Sequence, residues 1–100
     1  MELKRYRKPV YILENGIADT ADTQRAQFIT DHIKQVDRAQ RDGLEVRGYF
    51  YWSLLDNFEW AYGFKPRFGL VAINYATLER TVRPSALEYQ KLIQSSGILK

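Results

Sequence analysis

Val10-Tyr11-Ile12-Leu13-Glu14-Asn15-Gly16 begins with four apolar residues in a row, β-branched and aromatic members among them. A run apolar on both faces predicts a strand covered on both sides, as in parallel sheets. Pro9 disfavours helix at Lys8 and starts the extended segment. Asn-Gly is a strong turn signal, so Glu14 is expected at the C-terminal end of this strand.

Downstream, Ala26, Ile29, Ile33, Val36 and Ala39/Gln40 recur at three- and four-residue spacing, with Lys34, Asp37, Arg38 and Arg41 away from that stripe. This predicts one amphipathic helix from about Asp22 to Arg41, with Thr20, Asp22 and Thr23 as N-terminal cap candidates and Gly43 as its stop. Val46 to Trp52 reads as the next strand. Strand, helix and strand make a βαβ unit, which implies parallel strands and a right-handed crossover. Ser53 to Phe68 is a long aromatic loop without periodicity, a type of segment that usually carries function. Leu70 to Tyr75 is a short extended piece, and Arg80-Thr81-Val82 returns as a hairpin. Ser85-Ala86-Leu87-Glu88 has the form of a capping box. It opens a last helix over Ala86 to Ser95, with Ala86, Tyr89, Leu92 and Ile93 inward and Gly97 at its end.

An apolar fraction of 45% excludes a disordered chain, and 100 residues make one small domain or part of a larger one. The aromatic share is 14%, crowded between Tyr49 and Phe68, which suits either a core or a pocket for a flat ligand. The net charge of +3 invites a nucleic-acid reading. Residues 1–8 account for all of it, with Lys4, Arg5, Arg7 and Lys8 against Glu2, and the rest of the chain balances. No basic face follows from a local stub, so no nucleic-acid partner is expected. Without Cys and with His32 as the single histidine, no metal site and no cofactor are expected. No apolar run reaches the ~18 residues of a membrane span, and the N-terminus lacks the apolar centre of a signal peptide. No membrane partner is expected, and the cytoplasm is the expected location.

Two groups of residues could carry chemistry. Glu14 ends a buried strand, and ligands of parallel α/β folds bind beyond the C-terminal ends of strands. The alternative is a solvated loop carboxylate. Trp52 ends the next strand and would point to the same end, with Glu59 and Trp60 on the loop beyond. An indole face stacks on the C–H side of a pyranose ring, and a carboxylate accepts hydrogen bonds from vicinal hydroxyls. An aromatic minicore under a long loop would have the same composition.

Tyr11-Ile12-Leu13-Glu14-Asn15-Gly16 resembles the nucleophile motif of the family 1 retaining β-glycosidases, the β-glucosidase/β-galactosidase family. Tyr51-Trp52-Ser53-Leu54-Leu55-Asp56-Asn57-Phe58-Glu59-Trp60 resembles the sugar-binding segment of that family. Arg67-Phe68-Gly69-Leu70, Asn74-Tyr75 and Arg83-Pro84-Ser85-Ala86 fit its C-terminal end. Order and spacing agree over residues 9–97, and the wording of Glu14 to Arg25 and of Arg83 to Leu87 is similar to the archaeal branch. The ten-residue segment is the specific part; Glu-Asn-Gly alone would be weak.

The resemblance implies an α/β chain forming the C-terminal quarter of a (β/α)8 TIM barrel. Residues 1–8 would be a basic stub. Residues 9–100 would hold the last two strands and helices, a long active-site loop and a short hairpin. Glu14 would be the nucleophile, Trp52 part of the platform under the glycone sugar, and Glu59 and Trp60 hydrogen-bonding partners of its distal hydroxyls. Phe68 would sit at the mouth of the site. The phospho-sugar branch tends to carry serine where Glu59 stands, and a carboxylate there repels phosphate, so neutral β-glucosides, β-galactosides or β-fucosides are expected. Leu13 replaces a usual Thr, and Asn74 a common Asp.

Retaining hydrolysis needs a second carboxyl group as acid/base. In the family it lies in an upstream Thr-x-Asn-Glu-Pro-like motif, which this sequence does not contain. A complete barrel takes ~250 residues. The expected partners are therefore a β-linked sugar and either the remaining barrel portion or further copies of the chain. The chain alone is expected to be inactive. The alternative is a non-catalytic sugar-binding remnant or truncated-gene product.

Overall fold

The computed structural model describes residues 2–95. Strand β1 (Val10–Asn15), helix α1 (Arg25–Arg41) and strand β2 (Val46–Tyr51) form the predicted βαβ unit, and β1 and β2 pair in parallel. After a loop with one 3-10 turn at Trp60–Tyr62, strands β3 (Val71–Ile73) and β4 (Arg80–Val82) form the predicted antiparallel hairpin. Helix α2 (Pro84–Ser95) closes the described chain, and a short 3-10 helix (Glu2–Tyr6) precedes β1. Gly97 lies outside the described residues.

The core lies on one side of the β1–β2 sheet. The stripe of α1 buries Ile29, Ile33, Val36 and Ala39. Ile12, Val46, Tyr49 and Tyr51 meet it from the sheet, and Ala86, Tyr89 and Leu92 from α2. The Tyr89 ring stands edge-on to Tyr49 and Tyr51, with centroids 6.4 Å from each. Each fully buried aliphatic side chain contributes about 1.5–3 kcal/mol relative to exposure, so this stripe is what fastens α1 to the sheet.

Four local expectations are corrected. β1 was expected to be covered on both faces, yet Tyr11 and Leu13 are exposed, as is Phe50 on β2. Among the described residues a helical layer covers only one side of a two-stranded sheet. The radius of gyration, 15.2 Å, is accordingly larger than the about 13 Å of a compact chain of this length. Helix α1 begins at Arg25, and its cap is none of Thr20, Asp22 and Thr23. Asp22 has a left-handed φ of 57°, which breaks the helix before it starts. The Asp19 carboxylate accepts from the Gln24 and Arg25 amides at 2.8 and 3.0 Å instead. Ser85 does not cap α2, because the helix already starts at Pro84. The Asp22 carboxylate crosses over to α2 and accepts the Ser85 amide and hydroxyl at 3.0 and 2.7 Å. Finally, Ile93 faces solvent rather than the core.

Candidate active site

The parallel register contains one irregularity that bears on Glu14. Ile12 pairs with Tyr49 and Asn15 with Tyr51, so three steps on β1 match two on β2. Ile12 packs against the core, and the Asn15 Oδ1 accepts from the Tyr49 hydroxyl at 2.8 Å, so both face the helices. Between them Leu13 and Glu14 are both exposed. Strict alternation from Ile12 would have turned Glu14 towards α1. The extra residue is a bulge of the kind that re-aims a side chain beside a functional site. Gly16 serves close approach rather than a left-handed turn: a Cβ there would run into the Trp52 carbonyl oxygen. The Trp52 amide donates to the Asn15 carbonyl at 2.9 Å. The strand ends carrying Glu14 and Trp52 are therefore joined side by side, with Glu14 the last residue but one of β1 and Trp52 just past β2. Trp52 itself lies one residue past β2, and its peptide bond to Ser53 is cis.

Phe68 is drawn to the same place. Its carbonyl accepts from the Ser53 amide at 3.3 Å and from the Tyr51 hydroxyl at 2.9 Å. Glu59 and Trp60 lie further along the loop, at its 3-10 turn. The hydrogen bonds of their backbones stay within their own turn, from the Glu59 amide to the Gly63 carbonyl at 2.7 Å and from the Gly63 amide to the Trp60 carbonyl at 3.0 Å. Trp60 is 82% exposed and has a left-handed φ of 46°. A bulky residue held in that region is strained, which points to function more often than to packing. The Phe58, Phe64 and Tyr75 rings meet in series, each pair tilted by 58°, with the Arg67 guanidinium 4.2 Å over Tyr75. Phe58 and Phe64 are themselves exposed, so this cluster is not a closed core.

The loop is tied down by Asp56, whose side chain has no exposed surface. Its carboxylate accepts from Arg83 Nη1 and Nη2 at 2.8 and 3.1 Å, and from Arg67 Nη1 at 3.1 Å. It also accepts from the Gly69 and Ile73 amides at 2.9 and 3.2 Å. Burial raises the Asp56 carboxyl, and the hydrogen bonds from Arg83, Gly69 and Ile73 outweigh that and hold it below its ordinary 3.8. Asp22 is likewise raised by burial and lowered further by Ser85 and Arg25. Both groups keep their full stabilising contribution above the unfolded value and lose it as pH falls through the lower folded values. The urea midpoint is expected to drop as pH is lowered from 5 towards 2. The Asp22→Asn/Asp56→Asn double variant should start lower and show a flatter profile; an equally steep one would assign the acid lability to other carboxylates.

Arg25 and Arg83 went unrecognised as organising residues in the sequence, although both are buried. Arg25 left one trace: it lies four residues before Ile29, on the apolar stripe itself, where an arginine is unusual. Arg83 stood only in a motif that fits the family, and its pairing with Asp56, 27 residues away, was not visible there. Asn74 in place of an Asp keeps the acceptor that matters here, since its Oδ1 takes the Ala76 and Thr77 amides at 3.0 and 3.3 Å and shapes the β3–β4 turn.

A parallel βαβ unit with a carboxylate and an indole at the C-terminal ends of its two strands defines an α/β protein of the class whose ligands bind at that end of the sheet. Within this class, residues 1–98 match glycosyl hydrolase family 1, and the chain belongs to that family. It is 52% identical to a β-galactosidase of Sulfolobus acidocaldarius over 94% of this chain and 19% of the relative. It is 46% identical to a β-galactosidase of Pyrococcus woesei over 100% of this chain and 20% of the relative. The solved β-glycosidase of Pyrococcus horikoshii superposes with a TM-score of 0.89 at 52% identity, over 94% of this chain and 22% of that one. The expected similarity to archaeal members is thus found, and the chain spans about a fifth of the length of these relatives. Among the described residues no helix is long and apolar enough to cross a membrane.

Proposed function

We propose that this chain is the C-terminal quarter of a (β/α)8 barrel, contributed by residues 9–100, that hydrolyses neutral β-glucosides and β-galactosides with retention in the cytoplasm. Residues 1–8 are a basic stub outside it. β1 and β2 are the last two strands, and their open face belongs to the barrel interior. Glu14 is the nucleophile: its carboxylate attacks the anomeric carbon as the aglycone oxygen leaves, and water then displaces it from the covalent glycosyl-enzyme. Trp52 stacks under the glycone ring, Glu59 and Trp60 bind its distal hydroxyls, and Phe68 lines the mouth. The observation that carries this reading is the bulge that leaves Glu14 exposed beside the Trp52 end of β2.

The second carboxyl group must stand about 5–5.5 Å from the nucleophile and have a raised pKa. Asp56 is held in the opposite direction, and the two arginines occupy its oxygens. Glu59 is assigned to the sugar. The acid/base therefore comes from the rest of the barrel, whether on the same polypeptide or a separate one. The 100 residues alone are expected not to hydrolyse a nitrophenyl β-glucoside, and addition of an upstream barrel portion is expected to restore turnover. Turnover by the 100 residues alone that disappears in Glu14→Gln would sink this division of labour. Leu13 beside Glu14, where the family usually has Thr, favours a second reading, a diverged sugar-binding remnant. That reading requires glucose to quench Trp52 and Trp60 fluorescence with no turnover in any combination.

A further inference from the structure

We propose that Arg25 is a positioning residue that sets the placement of Glu14 relative to Trp52 and Phe68, an inference that rests on reading those three residues as one site. Arg25 has no exposed surface. Its Nη2 donates to the Asp19 and Arg67 carbonyls at 2.8 and 2.7 Å, and to the Ile17 carbonyl at 3.5 Å. Its Nε donates to the Tyr51 hydroxyl at 3.0 Å, which in turn donates to the Phe68 carbonyl at 2.9 Å. Its Nη1 pairs with the Asp22 carboxylate. Ile17 and Asp19 belong to the segment that leaves Glu14, Tyr51 precedes Trp52, and Arg67 precedes Phe68. One planar group thus fastens the chain next to three candidate site residues.

Stability alone does not require an arginine here. A well-packed apolar side chain on the same stripe is often as stabilising as a buried ion pair. What the guanidinium adds is a rigid fork that fixes several acceptors in one plane, which the point charge of a lysine does not do. Backbone hydrogen bonds also join these segments: Trp52 amide to Asn15 carbonyl at 2.9 Å, Leu70 amide to Ser53 carbonyl at 2.9 Å, Ser53 amide to Phe68 carbonyl at 3.3 Å, and Asp19 amide to Arg67 carbonyl at 3.0 Å. The last shares its acceptor with Arg25, and it and the long Ser53–Phe68 bond are the two expected to loosen without the fork.

The test compares Arg25→Lys and Tyr51→Phe with the unsubstituted chain, both alone and combined with the upstream barrel portion. Hydrogen exchange is read on peptides covering residues 17–24, 51–55 and 30–38. Arg25→Lys is expected to speed exchange about tenfold in the first two, with little change in the third, as local rather than global opening requires. Tyr51→Phe removes only the hydroxyl. It should speed exchange in 51–55 alone, and it keeps the question decidable should Arg25→Lys fail to fold. In the reconstituted enzyme kcat for a nitrophenyl β-glucoside should fall about 100-fold in Arg25→Lys with a smaller change in KM, the signature of a misplaced nucleophile. If exchange rises equally in all three segments, or not at all, Arg25 is a packing residue and the proposal fails. Faster local exchange with unchanged kcat overturns it too. If the unsubstituted reconstituted enzyme shows no turnover, the glycosidase reading falls, and the exchange pattern alone decides whether Arg25 places these segments.

Discussion

Glu14→Gln is expected to abolish glycoside hydrolysis in the reconstituted enzyme, lowering kcat by on the order of 10⁴-fold, because an amide of the same shape cannot form the covalent intermediate. Glu14 is exposed and has no side-chain hydrogen bond among the described residues, so the substitution should shift stability by less than about 0.5 kcal/mol. That separation makes the result diagnostic: activity disappears while the urea midpoint stays. A smaller side chain extends the test. In Glu14→Ala an added azide ion can attack from the face that Glu14 vacates, restoring turnover and yielding the α-glycosyl azide, since a single displacement inverts the β-configured centre. Retention of activity within tenfold in Glu14→Gln, or a β-configured azide product, would remove Glu14 from the role of nucleophile.

The second large effect is structural. Asp56→Ala is expected to destabilise the chain by about 3–5 kcal/mol, because it strands the buried Arg83 guanidinium without its counter-charge. Against a total of about 5–15 kcal/mol for a domain of this size, that is enough to unfold much of the population at 37 °C. It also takes the acceptor from the Gly69 and Ile73 amides, so the loop carrying Glu59 and Trp60 should lose its anchor. Asp56→Asn keeps part of the hydrogen bonding and should cost less. The exposed Lys91–Glu88 pair is the contrast: Glu88→Ala should cost no more than about 0.5 kcal/mol, as surface pairs contribute little. Urea denaturation of the three variants ranks them, and an Asp56→Ala midpoint near that of Glu88→Ala would show that the buried knot contributes nothing net.

Some of this was legible beforehand and some was not. The alternation of strand, helix and strand was, because apolar spacing and turn residues act over a few neighbours. The stripe Ile29, Ile33, Val36 and Ala39 was predicted and is buried as predicted. The caps were misassigned for a reason that recurs in both helices. Thr20, Asp22, Thr23 and Ser85 all have suitable side chains, and local sequence cannot say which carboxylate reaches which amide. Asp19 and Asp22 are chemically equivalent, yet one caps α1 and the other serves α2, 63 residues along the chain. Glu14 and Trp52 were expected at one end of the sheet, and their strand ends are joined there. The loop carrying Glu59 and Trp60 is anchored by Asp56, through partners 11 to 27 residues further on that local sequence does not show.

By itself the sequence determined the parallel βαβ unit, the hairpin, the last helix and membership of glycosyl hydrolase family 1, since these follow from local periodicity and from motifs in a set order. Tertiary structure alone decided three things. The bulge in β1 leaves Glu14 exposed where alternation would have turned it inward. Asp56 is committed to Arg83 and Arg67, and Asp22 to Ser85 and Arg25. Arg25 joins the segments around Glu14, Trp52 and Phe68. The reason is common to all three: strand register and the partner of a buried charge are set by what packs alongside, and that neighbour comes from a distant part of the chain.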